Sequence, residues 1–466
     1  MLKSFPRVTR WRVTPSLSLR LGQSRRCYAT PQRSVEHVRV RCKSSGEITV
    51  SLHNMAGHSS TTPLMIYLPP FATPGAEAEP QLALPSWLYD YPTAVINYRW
   101  QPIPPPQKVN QDGPINDLVR RPLLTWPAPI HDVLSGYTWL SSNLGTPSPT
   151  PSTRSRAAYV YGSYLGAALA TSLALTESHH FQDPHENPHF PTPRPTLTIR
   201  GLIAHNGIYN WTTLLPDHPI NHPRKEPEPD QDVIDDFNQR RHLLHTDPPH
   251  PAAHKTPTPP SKNFTLLSSK LAALFPSPSS LFDPFASPSL FFHNPPLHVP
   301  STFDTPINPI YRVPSPSSQR EEPAKVLSKD DLALSEIPAP PEGNLIFPPR
   351  HSTLRIPDAL LIHDDGGDGT EDEGNTFGTQ AKALAKYMRR SAVESEFRAV
   401  RKPKGGYEDE EEEQYVSRVV MSKQERTEIG ERRVRLLGVG EEADEGVIDE
   451  EVGEWIAEQV SEHYGE

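Results

Sequence analysis

The segment GSYLG at residues 162–166 constrains the fold of this 466-residue chain more than any other. It follows the strand-like run AAYVY and precedes a helix-like run rich in alanine and leucine. In a sharp strand-to-helix turn the central residue is strained, and the residues two before and two after it must be small. Centring the turn on Tyr164 puts glycine at both places, whereas centring it on Ser163 puts tyrosine and leucine there. We therefore predict that Tyr164 is the central residue.

The first 35 residues carry many arginines and serines and no acidic residue before Glu36. This composition is typical of a mitochondrial transit peptide, and Arg26-Cys27-Tyr28-Ala29 resembles a matrix cleavage site. A disordered basic tail is the alternative. The two cysteines, Cys27 and Cys42, cannot form a disulfide framework, which fits a reducing compartment. We therefore expect a mitochondrial protein of the matrix.

The net charge of −10 argues against a general nucleic-acid-binding protein. Residues 157–175 carry no charge and are about long enough to span a bilayer, but they divide into a strand-like and a helix-like half. We interpret them as a buried strand and helix and predict no transmembrane segment. No nucleotide-binding or zinc-ligand motif occurs, and the histidine-rich tract at 179–189 is better explained as a solvated loop than as a metal site. We predict no cofactor and no metal.

The apolar runs of the chain alternate between strand-like and helix-like patterns. Two alternating runs around a turn at 43–46 predict an antiparallel hairpin. Further strands are predicted at 63–70, 93–100, 157–162, 198–207, 358–364 and 432–440, and helices at 127–144, 165–178, 375–391 and 446–463. This alternation predicts an α/β protein with a doubly wound, mostly parallel sheet.

Between the two halves of this pattern lie about 150 residues rich in proline, which hold half of the 56 prolines of the chain and predict an insertion. We assign the leader to residues 1–35, the halves of the sheet domain to 36–210 and 351–466, and a partly disordered, Pro-rich cap to 211–350. Within the cap, helices are expected at 232–244 and 264–275, and 276–319 is of low complexity. The acidic run at 408–413 indicates an exposed loop, with a smaller chance of binding a basic partner.

Four blocks occur in a characteristic order: NYRW (97–100), WPAPIHDVLSGYTWL (126–140), YGSYLGAALA (161–170) and DALLIHDD (358–365). Together they resemble the α/β-hydrolase superfamily, particularly its esterase- and lipase-like branch with a cap. The resemblance covers about residues 38–210 and 350–466. It implies a nucleophile at the turn, an acid after the strand that ends near Ile362, and a histidine after the last strand.

The residues at those places depart from the family pattern. Tyr164 stands at the nucleophile position, and a phenol is a poor acyl-transfer nucleophile; Ser163 is a weak alternative. The acid candidates are Asp364, Asp365 and Asp368, which a surface turn also explains.

The loop at 441–446 contains no histidine, so no triad histidine is found. Without an imidazole, the nucleophile lacks a base that works at neutral pH. If the protein is active, His205 or His363 would have to be recruited.

The oxyanion hole of the family needs two backbone N–H donors. Leu165 retains one of them. The loop that should supply the other begins with Pro69 and Pro70, which have no N–H, and leaves Phe71 as a weak candidate.

We therefore expect a catalytically degenerate protein of α/β-hydrolase type that acts as a scaffold or binding module for a protein partner or a small apolar or ester ligand. The alternatives are a carboxylic-ester hydrolase with a non-standard nucleophile and a subunit of a mitochondrial assembly.

Overall fold

The computed structural model describes residues 35–42, 46–59, 61–70, 84–100, 125–145, 155–179, 195–221, 261–303, 340–349, 352–365, 374–400, 422–440 and 445–464. The leader, the expected helix at 232–244 and the acidic run lie outside these ranges, so what the sequence indicates for them stays a prediction.

The described residues form one eight-stranded sheet. The predicted hairpin is confirmed, because β1 (Val35–Arg41) and β2 (Glu47–His53) pair antiparallel. The other strands are β3 (Leu64–Leu68), β4 (Thr93–Asn97), β5 (Arg156–Ser163), β6 (Leu197–His205), β7 (Asp358–Asp365) and β8 (Val434–Gly440). The lateral order is β1-β2-β4-β3-β5-β6-β7-β8, and every pair from β4 to β8 is parallel. The prediction of a mostly parallel sheet is therefore confirmed.

Helices cover both faces of the sheet, as the near-continuous apolar character of its strands requires. The larger core lies under α1 (Ala128–Leu144), α2 (Leu165–Glu177) and α5 (Phe377–Val400). The smaller core lies under α7 (Glu445–Tyr464) and the 3₁₀ turn Ser86–Asp90. No helix in the described ranges is long and apolar enough to cross a membrane.

The sequence prediction was wrong at the start of the last strand, which was expected at 432. A helix not predicted from the sequence, α6 (Lys423–Arg433), runs up to Val434. Its sequence is almost wholly polar, so it has no apolar period to detect. Its first turn is stabilised instead by a capping box between Ser422 and Glu425.

Part of the insertion belongs to the larger core, which its Pro/Ser-rich composition did not indicate. The expected helix at 264–275 is present as two pieces, α3 (Lys262–Ser269) and α4 (Leu271–Leu274). The following 3₁₀ turns, Pro278–Phe282 and Pro288–Phe291, bury apolar side chains against α2 and the loop after β6. Polar bonds hold them there, including one from the Ser172 hydroxyl to a backbone carbonyl at 2.8 Å.

Candidate functional site

The turn after β5 has the geometry that the glycine spacing predicts. Tyr164 lies between the last residue of β5 and the first residue of α2. Its backbone φ of 54° and ψ of −115° lie in a region that residues other than glycine rarely adopt. A β-carbon on Gly162 would lie 2.3 Å from the carbonyl oxygen of Gly166, and one on Gly166 would lie 2.2 Å from that of Leu68. Both positions therefore require glycine.

The sheet has the strand order given above, its second strand is antiparallel to both neighbours, and a strained turn follows its fifth strand. Together these features define a known architecture. The chain has the α/β-hydrolase fold. Tyr164 is the residue at its nucleophile elbow.

Aromatic and amide groups surround the elbow tyrosine. The ring of Tyr164 makes an edge contact with that of Phe377 at a centroid distance of 5.7 Å. Its phenol oxygen accepts a hydrogen bond from the Asn263 amide at 3.0 Å. Asn263 belongs to α3, so the elbow is joined directly to the segment that follows the strand β6. Phe264, the next residue, packs against Phe377 at 5.1 Å.

A histidine and a carboxylate lie beside the elbow at the carboxyl ends of the next two strands. The His205 ring is 6.1 Å from that of Tyr164, and His205 Nε2 is 3.6 Å from Asp364 Oδ1. The two side chains are only 14% and 19% exposed. The backbone fixes this arrangement, because the Tyr164 N–H donates to the His205 carbonyl and the Asp364 N–H donates to the Asn206 side chain, both at 2.9 Å.

The surroundings of Asp364 favour its ionised form. Burial acts to raise the pKa of this carboxyl, but the His205 and Asn206 side chains oppose burial and hold the pKa below its ordinary value. A carboxylate beside an imidazole is the arrangement that orients and stabilises a histidine base. The structure thus brings Tyr164, His205 and Asp364 together at adjacent strand ends.

The other candidate nucleophile, Ser163, is placed differently. It is the last residue of β5 and is buried. Burial raises the pKa of the neighbouring Tyr67 to about 12, against a smaller opposing effect of a hydrogen bond with Ser163. Ser163 therefore lies beside the phenol groups of Tyr67 and Tyr161, which stack at 5.2 Å inside the smaller core.

The end of β3 and the loop after it present hydrogen-bond acceptors to the elbow. A β-carbon on Gly166 would meet the carbonyl oxygens of Leu68 and Pro69, so both oxygens lie against the elbow. The Pro69 carbonyl also accepts a hydrogen bond from the Tyr98 hydroxyl at 2.5 Å. Carbonyl oxygens repel a developing oxyanion, which requires N–H donors. The candidate donor Phe71 lies outside the described residues, and Leu165 begins α2 as expected.

Among the remaining catalytic candidates, His363 is the one whose side chain the structure describes. His363 is buried within β7 beside Gly438. Asp365 ends the same strand, with its side chain outside the described part, and Asp368 lies beyond it altogether. Of the histidine-rich tract only His179 is described, and its ring bonds to Thr353 at 2.8 Å. Within the described ranges no three ligand-type side chains cluster around a possible metal position.

Sequence reasoning missed two of the contacts made at the elbow. Asn263 lies in the insertion, about one hundred residues from Tyr164 in sequence, and carried no motif. The sequence predicted His205 as a base that an active enzyme would have to recruit. Its lateral position between Tyr164 and Asp364 depends on the strand order.

No family model and no curated protein matches the chain. Among solved structures it is similar to carboxyl esterase 2 from the mycorrhizal fungus Tuber melanosporum, with 12% identity, a TM-score of 0.40, and 94% of this chain and 89% of that one covered. A fungal esterase from Rhizomucor miehei has 10% identity and a TM-score of 0.39, over 94% and 86%. An esterase from Pyrobaculum calidifontis has 12% identity and a TM-score of 0.32, over 76% and 72%. We assign the fold from the strand order and the elbow.

Proposed function

We propose that this protein is a binding module built on the α/β-hydrolase fold, without serine-hydrolase activity. The observation that carries the proposal is Tyr164 at the elbow, with its hydroxyl bonded to Asn263 of the cap. A serine hydrolase presents its nucleophile at this strained position, where a base and N–H donors converge. Here a large aromatic ring fills that place, and Ser163 is buried beside the Tyr67 phenol.

The ligand that suits this site is a small apolar or ester compound, or an apolar side chain of a protein partner. Tyr164, Phe377 and Phe264 present aromatic surface, while His205 and Asp364 offer polar groups at one side. Binding sites of α/β sheets lie at the carboxyl ends of the strands, where these residues are. Mostly apolar surface with a few polar groups is typical of small-molecule sites.

Ester hydrolysis is the second candidate, favoured by the position of His205 and Asp364 beside the elbow. In this mechanism the Tyr164 oxygen would attack the acyl carbon and form an aryl ester, while its proton passes to His205. Asp364 would stabilise the imidazolium, which would pass the proton to the departing alcohol as the acyl C–O bond of the substrate breaks. Water would then hydrolyse the aryl ester, which releases the acid and restores the Tyr164 hydroxyl. A phenol is ordinarily protonated at neutral pH. The carbonyl oxygens beside the elbow also disfavour an oxyanion, so we rank this candidate second.

Ester turnover and covalent labelling separate the two candidates. The full chain is assayed with p-nitrophenyl acetate and butyrate and with a fluorophosphonate probe, alongside Tyr164→Phe, His205→Gln and Ser163→Ala. Tyr387→Phe is the matched control, because the hydroxyl of this tyrosine likewise takes part in one hydrogen bond with a side chain, here as the donor to Glu342. The binding-module proposal expects no label and no turnover above buffer for any form.

Turnover that disappears in Tyr164→Phe and His205→Gln, but not in Tyr387→Phe, would establish the ester hydrolase and refute the binding module. Labelling lost only in Ser163→Ala would refute both candidates. Binding itself is measured with a fluorescent fatty-acid probe, whose affinity should change in Tyr164→Ala and stay the same in the control.

We also propose that residues 1–35 direct the protein to mitochondria, where it acts alone or as a subunit of an assembly. The support is the acid-free, arginine-rich composition of this segment. A fusion of residues 1–35 to green fluorescent protein should localise to mitochondria, and the same fusion with its arginines changed to glutamine should not. Cytosolic fluorescence of the unchanged fusion would contradict the proposal.

A further inference from the structure

Three arginines converge at the amino ends of β6, β7 and β8, on the sheet edge opposite the elbow. Arg200 lies in β6, Arg355 in the loop before β7, and Arg433 directly before β8. Arg355 interacts electrostatically with both other arginines and with the carboxylate of Asp358, the first residue of β7. We call these four residues the arginine cluster.

A β-bulge brings Arg200 into the cluster. Ile199 and Gly201 pair with consecutive residues of β5, so Arg200 is an extra residue with none opposite it. In a regular strand, side chains on the same face of the sheet are an even number of residues apart. Ile199 and Leu202 are three residues apart, yet both pack in the larger core on one face. The extra residue accounts for this change and places Arg200 on the same face as Gly201.

The register of the next strands puts Asp358 and Arg433 on that same face. Gly201 pairs with Asp358, and Ala359 pairs with Val434, so Arg433 is level with Asp358. Arg433 and Asp358 form an ion pair, and Arg433 Nη2 also donates to the Ile356 carbonyl at 2.7 Å. The one carboxylate of the cluster is thus already engaged by one of the three guanidinium groups.

Arg355 is the central member of the cluster, and its side chain has an unsatisfied donor. Its backbone N–H donates to the Ser178 carbonyl at 2.9 Å, but its buried side-chain Nε finds no hydrogen-bond acceptor in the described part of the chain. Burial and then repulsion by Arg200 lower the pKa of Arg355 to about 10. A buried guanidinium that keeps its charge beside two others is costly unless an anion joins them.

The chemistry of the cluster selects the kind of anion. Guanidinium groups present planar N–H forks that match the oxygens of phosphate, and several of them are needed to balance a double negative charge. Solvent reaches the cluster, because the side chains of Arg433 and Asp358 are 21% and 24% exposed. We propose that the arginine cluster binds a phosphate group, free or carried by a small phosphomonoester. This inference is independent of what happens at the elbow.

The test measures binding of inorganic phosphate and of O-phosphoserine to the full chain by calorimetry, with ionic strength held constant by chloride. Arg355→Gln should weaken binding by ~10-fold or more, because it removes a charge-assisted donor. Arg435→Gln is the matched control, since Arg435 lies two residues further along from Arg433 and pairs with Glu458 on the surface. This control should bind like the unchanged protein.

Asp358→Asn makes the inference sharper, because it should tighten phosphate binding by removing the competing carboxylate. Equal affinity in Arg355→Gln and in the control, or no binding by the unchanged protein, would overturn the proposal. If Arg355→Gln does not fold, Arg200→Gln carries the same expectation. Stronger binding of phosphoserine than of inorganic phosphate would identify a phosphomonoester as the ligand, and the reverse order would identify free phosphate.

Discussion

Replacing Tyr164 by glycine should leave the protein more stable than replacing it by alanine, the reverse of the usual order. Both variants lose the same interactions, which include the ring contacts with Phe377 and His205 and the hydrogen bond from Asn263. They differ only in the backbone. At φ 54° and ψ −115° a residue with a β-carbon carries strain of about 1–3 kcal/mol, which glycine relieves. Against this gain, glycine lowers the unfolding free energy by about 0.4–1 kcal/mol, because the unfolded chain has more conformational freedom at a glycine than at an alanine.

The net difference in unfolding free energy should therefore favour Tyr164→Gly by about 1 kcal/mol. Urea unfolding followed by far-UV circular dichroism measures it as a difference in midpoint at constant slope. Thr138, exposed in the middle of α1, supplies the control pair, where alanine should be the more stable by about 1 kcal/mol. If the unfolding free energy of Tyr164→Ala equals or exceeds that of Tyr164→Gly, the elbow is not strained and the reasoning is refuted.

Three further results follow from the packing. Gly166→Ala should lower the unfolding free energy measured in urea by about 1–3 kcal/mol, because the new β-carbon meets backbone oxygens. Gly57→Ala is the control and should be neutral, because a β-carbon on Gly57 has no atom within 4 Å. Asp132→Ala should cost about 3 kcal/mol, since it removes a fully buried carboxylate that forms an ion pair with Arg99. Glu394→Ala breaks an exposed ion pair and should cost at most about 0.5 kcal/mol; equal losses would contradict this expectation. Because the folded-state pKa of Asp364 is lowered, its ionisation stabilises the fold above the unfolded pKa of about 4. The stability difference between the unchanged protein and Asp364→Asn should thus shrink as the pH falls below that value, and a difference that stays constant in a pH series of thermal unfolding would contradict the assignment.

The strands and the elbow could be predicted from the sequence because their signals are local. Alternating and continuous apolar runs reveal which segments are strands, and the glycines at 162 and 166 reveal where the chain must pass close to itself. Helix α6 escaped detection because it is stabilised by its capping box and not by an apolar face. The insertion at 276–303 was judged by its proline and serine content, whereas its buried leucines and phenylalanines decide how it packs.

The sequence by itself determined that Tyr164 stands at a strained turn and that the loop after the last strand has no histidine. Both are facts of identity and spacing, and folding cannot change them. Only the tertiary structure decided that His205 lies between Tyr164 and Asp364, that Asn263 of the cap bonds to the phenol, and that a bulge adds Arg200 to two other arginines. Those relations depend on the lateral order and register of strands far apart in sequence, which are set by burial of both sheet faces and not by any local pattern.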